Sequence, residues 1–292
     1  MKKSIVFCLC MAVVALFSAC NRDQGEDGVF NPSKKLQKIY LVENGVQNLQ
    51  QVWNWNGDML SSIDFYSDGI VSTTNSFYYD GNRLTTMRNE SSYATFSYDG
   101  EKIDHIDVFQ DNDNEPLVTY SFEYKGSKVG KVRVVIDYDH LTNEKVLINP
   151  LKFLLPQVCD NIEHLVANRM KETKGGDMME TLTMELTWTG DNITKVRTSG
   201  FSTAQEVTRY SYDNKENPFK DFLGMYAFNT TASGAFCGNK NNVLTSTSKK
   251  GSISYSSRSH YEYEDNYPVK ETQTFTLNGE PMDDSISFVY EY

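Results

Sequence analysis

The chain has 292 residues, of which 28 are Lys or Arg and 39 are Asp or Glu, a formal net charge of -11. Such a surface repels phosphate backbones and argues against nucleic acid as a partner. Aromatic residues make up 13%, with 18 Tyr and 16 Phe, a composition that favours strands over helices.

Lys2 and Lys3 precede an apolar run of 13 residues, Ile5 to Phe17, and Ser18 and Ala19 place small side chains ahead of Cys20. A permanent transmembrane helix needs roughly 20 apolar residues, so residues 1–19 read as a secretory signal that is removed. The stretch Phe17-Ser18-Ala19-Cys20 resembles the lipobox of bacterial lipoproteins, which implies acylation of the Cys20 thiol and a membrane contact through that lipid. Loss of Lys2 and Lys3 takes the basic count from 28 to 26 and the net charge from -11 to -13. Residues 20–34 form a polar tether, whose acids Asp23, Glu26 and Asp27 are similar to the acidic export signal of surface lipoproteins of the Bacteroidales. About 270 residues remain, enough for one large all-β domain or two small ones, and the repeats below favour a single domain over 35–292.

Turn signals punctuate this domain. Asn44-Gly45, Asn56-Gly57, Asp68-Gly69 and Asp80-Gly81 fall 12 residues apart, and the pattern continues through Ser91-Ser92, Asp99-Gly100, Asp111 to Glu115 and Lys125-Gly126. Each interval leaves a strand of about eight residues, as in an antiparallel meander. Alternate turns follow an aromatic pair: Trp53 and Trp55, Phe77 and Tyr79, Phe96 and Tyr98, Phe122 and Tyr124. After them come Leu60, Ile63 and Phe65, then Ile103, Ile106 and Val108, then Val129, Val132 and Val134. A step of three followed by a step of two predicts one extra residue, a β-bulge, at the start of each returning strand.

The rhythm breaks over 137–178, where Val158, Ile162, Leu165 and Val166 fall at helical spacing and predict a short amphipathic helix. Strands resume with Met184, Leu186 and Trp188, and run to Tyr210, Tyr212 and the turn signal Asp213-Asn214. A second insert, 215–241, contains Asn217-Pro218-Phe219 and room for another short helix, after which hairpins run to Phe288, Tyr290 and Tyr292.

If every aromatic-then-turn signal lies at one end of the sheet, one more strand must hide between the second insert and Gly251, and Val243 to Lys249 supplies it. The count becomes about 16, an even number that lets the first and last strands pair antiparallel. The expected fold is therefore all-β: an antiparallel up-and-down meander of about 16 strands, closed or nearly closed into a barrel, with a short helical insert. The two inserts leave from opposite ends. Cys8 and Cys10 depart with the signal, and Cys159 and Cys237, one in each insert, are expected to remain free thiols.

Trp55-Asn56-Gly57, Tyr79-Asp80-Gly81, Tyr98-Asp99-Gly100, Tyr212-Asp213-Asn214, Asn217-Pro218-Phe219 and Asn241-Asn242-Val243 resemble an uncharacterised family of Bacteroidales lipoproteins. That family is a domain of unknown function with a porin-like fold, and its tyrosine-aspartate repeats resemble those of RHS proteins. The resemblance spans roughly residues 36–292 and implies a fold, not an activity. It also gives Asp284-Ser285-Ile286 a meaning, because the triplet resembles the O-glycan acceptor of this bacterial group, with Ser285 as the modified residue. A membrane porin turns its apolar face to lipid and a soluble barrel turns it inward. Lipidation at Cys20 and strands near eight residues favour the soluble arrangement, with the first insert inside; the aromatic terminus Phe288, Tyr290, Tyr292 resembles the assembly signal of outer-membrane barrels.

The chain carries no signature of catalysis. His105, His140, His164 and His260 lack the spacing of a zinc motif, and no Walker loop or Gly-x-Ser-x-Gly occurs. Asp111 to Glu115 lacks the glycine of a calcium loop and needs no ion as an acidic turn, and Asp137, Asp139 and His140 read as a solvated turn. Trp53, Trp55 and Trp188 occupy the anchor positions of the repeat and read as core, whereas Tyr78 is placed for an exposed contact. No catalytic residue, metal ligand or cofactor is assigned. The expected function is a lipid-anchored surface module that binds glycan or protein, with a carboxylate-dependent hydrolase and an outer-membrane pore as the alternatives. An exposed aromatic strip would favour binding, and two close carboxylates in a cleft would favour hydrolysis.

Overall fold

The computed structural model describes residues 30–111, 113–137, 179–200, 203–222 and 238–292. Among them sixteen strands close into one antiparallel barrel: β1 (Lys38–Glu43), β2 (Val46–Asn56), β3 (Met59–Ser67), β4 (Ile70–Asp80), β5 (Arg83–Arg88), β6 (Ser92–Asp99), β7 (Lys102–Gln110), β8 (Val118–Lys125), β9 (Lys128–Asp137), β10 (Met179–Thr189), β11 (Asn192–Gly200), β12 (Thr203–Glu216), β13 (Asn241–Lys250), β14 (Ile253–Glu264), β15 (Tyr267–Leu277) and β16 (Glu280–Glu291). Every strand pairs with its sequence neighbours, and β1 pairs with β16, from Lys38↔Glu291 to Val42↔Ser287. The hidden strand predicted at Val243 to Lys249 is β13, and the inserts leave from opposite ends as parity requires. The helix expected at Gln157 to Met170 and the two cysteines of the inserts lie outside the described residues.

The predicted bulges are present. Trp55 pairs with Leu60 but Asn54 with Ser62; Tyr98 pairs with Ile103 but Ser97 with His105; Tyr124 pairs with Val129 but Glu123 with Lys131. The extra residue lets Leu60, Ile63 and Phe65 all face inward although the first two are three apart, and all three are buried.

Two readings of the turns need correction. Asn44-Gly45 and Asp80-Gly81 look alike, yet Glu43↔Val46 makes Asn44 and Gly45 the central pair of the first turn, both at positive φ, as in a type I′ turn. Asp80↔Arg83 makes Gly81 and Asn82 the central pair of the other, with only Gly81 at positive φ (59°), as in a type II′ turn. Asp213-Asn214 is not a turn at all. β12 runs through it to Glu216, and the Asp213 carboxylate accepts hydrogen bonds from the Lys215 and Asn242 amides. Strands also exceed the eight residues expected, reaching 11 in β2, β4, β10 and β15, 12 in β14 and β16, and 14 in β12.

One hydrogen bond repeats around the whole barrel. The aromatic residue that closes each hairpin donates to the carbonyl of the first core residue on the returning strand of the hairpin before it. Trp55 Nε1 donates to Leu36 O (2.8 Å), Tyr79 Oη to Leu60 O (2.8 Å), Tyr98 Oη to Leu84 O (2.8 Å) and Tyr124 Oη to Ile103 O (2.9 Å). Trp188 Nε1 continues to Val129 O (2.7 Å), Tyr212 Oη to Ile193 O and Tyr292 Oη to Pro268 O (2.9 Å); in the β14–β15 hairpin the closing Tyr263 donates instead to the Asp213 carboxylate, and Tyr261, two residues earlier, takes the Val243 carbonyl (3.0 Å). Leu36, ahead of β1, and Tyr292, after β16, thus complete the circle in place of a turn. Lysines lace the same hairpins in the other direction. Lys35 Nζ donates to Gly57 O (2.6 Å), Lys102 Nζ to Gly126 O (2.8 Å) and Lys128 Nζ to Gly190 O, each ammonium also lying over the next aromatic ring.

The tether expected to end at residue 34 is shorter in its packing. Phe30 is buried, with ring centroids 5.6 Å from Trp55 and 4.9 Å from Phe222.

Replacing Tyr98 by Phe removes the donor from a part-buried carbonyl and should cost about 1–2 kcal/mol, read as a lower urea midpoint at unchanged slope. Burial also pushes the Tyr98 and Tyr124 hydroxyls up to about 12, and raises Tyr79 and Tyr212 as well. Unfolded tyrosine ionises near 10, so between pH 10 and 12 the folded chain holds more protons and stability falls as pH rises. Urea midpoints measured at pH 8, 10 and 11 should therefore decline over the last step; a flat series would contradict the buried ring.

Candidate functional site

Register sorts the wall into faces. Inward residues of β3 to β11 are mainly apolar and buried, including Phe96, Ile106, Tyr120, Val132, Val134 and Leu182. Inward residues of β12 to β14 differ in kind. Thr208 pairs with Ser248, Ser248 with Tyr255, Tyr210 with Ser246 and Ser246 with Ser257, and all of these are half-buried. Small hydroxyl side chains leave room, and their partial exposure on an inward face means that solvent reaches this part of the lumen. Its hydroxyls bond one another: Ser246 with Ser257 at 2.8 Å, Thr208 Oγ1 to Ser248 Oγ at 3.2 Å, and Ser248 Oγ to the Glu206 carboxylate. Glu206 and its register partner Lys250 form the row nearest the turn end opposite the aromatic ring. Exposed apolar side chains gather at that end, on the turn-flanking residues Val46, Ile70, Val71, Ile253 and Leu277.

Deeper in the lumen the wall closes around Glu271, only 5% exposed, whose carboxylate accepts from Tyr290 Oη (2.7 Å) and Gln273 Nε2 (2.7 Å). Burial, reinforced by the neighbouring Glu271 charge, raises Tyr290 and Tyr261 well above the ordinary tyrosine range. Beyond them the Asn217-Pro218-Phe219 turn seals the ring end. Asn217 Nδ2 donates to Asn239 O (2.9 Å), the Phe219 amide donates to Asn217 Oδ1 (3.0 Å), and the Asn239 carboxamide accepts from the Ile193 amide (2.6 Å). Phe219 lies 6.0 Å from Trp53 and 6.3 Å from Tyr290, and Phe222 lies 5.7 Å from Phe77. The described part of this second insert, up to 222 and from 238, contains no helix. Among the described residues, Gln50 Oε1 and Asn239 Nδ2 are buried side-chain atoms with no hydrogen-bond partner.

The outward face is polar and charged along the middle of the strands. Arg133, Arg209 and Arg258 are exposed there and Arg197 pairs with Glu185 (3.7 Å), while Asp64 accepts from Asn54 and Thr74, and Asp107 from Thr119; Lys131–Glu123 (2.7 Å) and Lys270–Glu262 (2.9 Å) lie beside the turns of the aromatic end. A lipid-facing Lys or Arg near the bilayer centre costs about 2–4 kcal/mol. Charge thus stands on this wall where a membrane barrel is apolar.

Sequence-derived candidates fall as follows. Trp53 is buried, Trp55 and Trp188 are half-buried members of the ring, and Tyr78 is 53% exposed on the outer wall. Nearby on the same wall, the half-buried Tyr93 and Phe109 stack at 4.7 Å with Arg88 over Tyr93. Ser285 is exposed on β16 opposite Thr274, open to modification. His105 sits between Asp104 (2.8 Å) and Asp107 (3.5 Å) on the outside. Asp111 pairs with Arg88, and Asp113 accepts from the Glu115 amide (3.2 Å). Among the described residues no three His, Cys, Asp or Glu side chains converge as metal ligands. Cys20, Asp139, His140 and His164 lie outside the described residues.

Sequence reading missed Glu206, Tyr210, Tyr255 and the serine floor. Parity would have found some of them, because counting back by twos from Tyr263 reaches Tyr261, Ser259, Ser257 and Tyr255. Glu206 and Glu271 are four register rows apart, roughly 25 Å along the strands, far beyond the separation of about 5–10 Å that glycoside hydrolysis requires.

No family model matches the chain, and no curated protein matches it. Solved structures do. A porin-like protein from Bacteroides vulgatus ATCC 8482, with 12% identity and a TM-score of 0.51, aligns over 89% of this chain and 99% of its own. Another from Bacteroides uniformis ATCC 8492, with 10% identity and the same TM-score of 0.51, aligns over 90% of this chain and 99% of its own. The likeness is one of fold.

Truncating Phe219 to Ala empties the plug between Trp53 and Tyr290 and should destabilise the barrel by about 3–5 kcal/mol in urea unfolding. A loss below 1 kcal/mol would mean that the plug does not support the ring.

Proposed function

We propose that this chain is a lipid-anchored protein of the bacterial cell envelope, held at the outer membrane through Cys20, whose barrel stands in water as a non-catalytic binding module. The observation that carries this reading is the outward wall, which bears exposed Arg133, Arg209 and Arg258 and the Arg197–Glu185 pair in mid-strand, where a membrane barrel has its apolar belt. The porin-like Bacteroides structures support a barrel of envelope type. The acids after Cys20 support surface exposure, and the half-exposed hydroxyl wall inside supplies a place for a ligand. Glu206 and Glu271, on the described inner wall, stand too far apart to act as a hydrolytic pair.

A pore is the second reading, favoured by strands of 11–14 residues, long enough to cross the hydrocarbon when tilted, and by the porin-like neighbours. Expressing residues 21–292 without signal or lipid separates the two. The binding module should purify from the soluble fraction without detergent and unfold cooperatively, and Cys20→Ser in the full chain should abolish palmitate incorporation and release the protein from membranes. A product that refolds only in detergent and conducts across a planar bilayer would establish the pore and end the tethered-module reading.

A further inference from the structure

We infer that the serine-floored half of the lumen binds a neutral oligosaccharide, a proposal that rests on the binding-module reading and gives it a ligand class. The wall there is made of groups that both donate and accept, as sugar hydroxyls do: Thr208, Ser246, Ser248 and Ser257, already linked into short chains of hydrogen bonds that a ligand can join. Tyr210 and Tyr255 flank this floor, two strands and one register row apart, so their rings stand on backbone positions about 12 Å from each other. That span suits a chain of sugars rather than a single ring, with an aromatic residue near each end. Tyr255 is backed by Phe275, stacked on it at 6.0 Å and 21°, which holds the ring in place.

Charge decides which sugars fit. Glu206 and Lys250 face each other on the outermost row, one charge of each sign, and no other basic side chain occupies the inward rows between that row and Glu271 on β12 to β15. Uronate or sulfate groups would enter without a partner and would meet the Glu271 charge behind the floor. Neutral hydroxyls carry no such cost. The outer strip at Tyr78, Tyr93 and Phe109 is the competing location. There Arg88, the cation over Tyr93, is already committed to Asp111.

Detergent-free residues 21–292, shown to be folded by circular dichroism, would be applied to an array of neutral, amino-sugar and uronate oligosaccharides, and hits titrated by calorimetry. Neutral oligosaccharides should bind, Ser248→Phe should fill the floor and weaken binding at least tenfold, and Tyr78→Ala should change it less than twofold. If Ser248→Phe does not fold, Tyr255→Ala carries the same test. Hits confined to uronates, hits lost with Tyr78→Ala but kept in the lumen variants, or an empty array from folded protein would each overturn the proposal. An empty array from a detergent-free barrel leaves the tethered module standing, whereas a requirement for detergent removes both.

Discussion

A single hydrogen bond, from an aromatic side chain to a carbonyl one hairpin back, underlies the rest of this structure. Strand pairing alone holds neighbouring strands but does not say how a sheet should curve. A tyrosine or tryptophan reaching across two strands does, because it ties the start of one hairpin to the start of the next from inside the wall. The bulge beside each bond is its geometric companion, since it keeps both the acceptor residue and the next core residue facing inward. Lysines returning to the next glycine carbonyl fix the same spacing from the other direction. Each hairpin thus answers only to its neighbours, as in repeat proteins, but here the last neighbour is the first.

Much of this was legible in the sequence because the repeat writes its own punctuation. Trp55-Asn56-Gly57 and Tyr98-Asp99-Gly100 announce the turns, and the steps from Leu60 to Ile63 and from Ile103 to Ile106 announce the bulges. Even β13, which has no amphipathic signal of its own, was forced into place by turn parity. What stayed hidden was whatever the repeat does not mark. Thr245, Ser246, Thr247 and Ser248 alternate between the outer and inner face without changing chemical character, so no periodicity distinguishes a barrel's inner wall from an exposed strand. Asn44-Gly45 and Asn56-Gly57 share their letters but not their geometry, because the aromatic and its bulge shift the second turn by one residue. Asp213-Asn214 copies the repeat's spelling where a long connection has replaced its turn, and the carboxylate serves instead as an acceptor for backbone amides.

Likeness to porin-like structures concerns the path of the chain, not the medium around it. Sixteen strands of this length can face either way. Here Arg133, Arg209 and Arg258 are exposed outside and Phe96, Ile106 and Val134 are buried inside. Once the apolar face is inside, the wall must fill its own lumen, and it does so unevenly. Large side chains crowd one side and the plug of Phe219 and Phe222 closes the ring end, while serines and threonines line β12 to β14. The unevenness separates a crowded apolar side from a side of small hydroxyl residues.

The seam between β16 and β1 shows what kind of object the wall is. Tyr292 and Leu36 stand where a hairpin's closing aromatic and first core residue would stand, and Gln37 bridges to Glu291 and Trp53 as though the turn were there. The ring therefore has no privileged starting point, and its local bonds contain no information about how many hairpins it holds. Removing one hairpin, or copying one, would present the next aromatic with an equivalent carbonyl. A wall of this design changes its girth only in whole hairpins, and lineages built on it can widen or narrow their lumen by duplication and deletion without inventing a new contact.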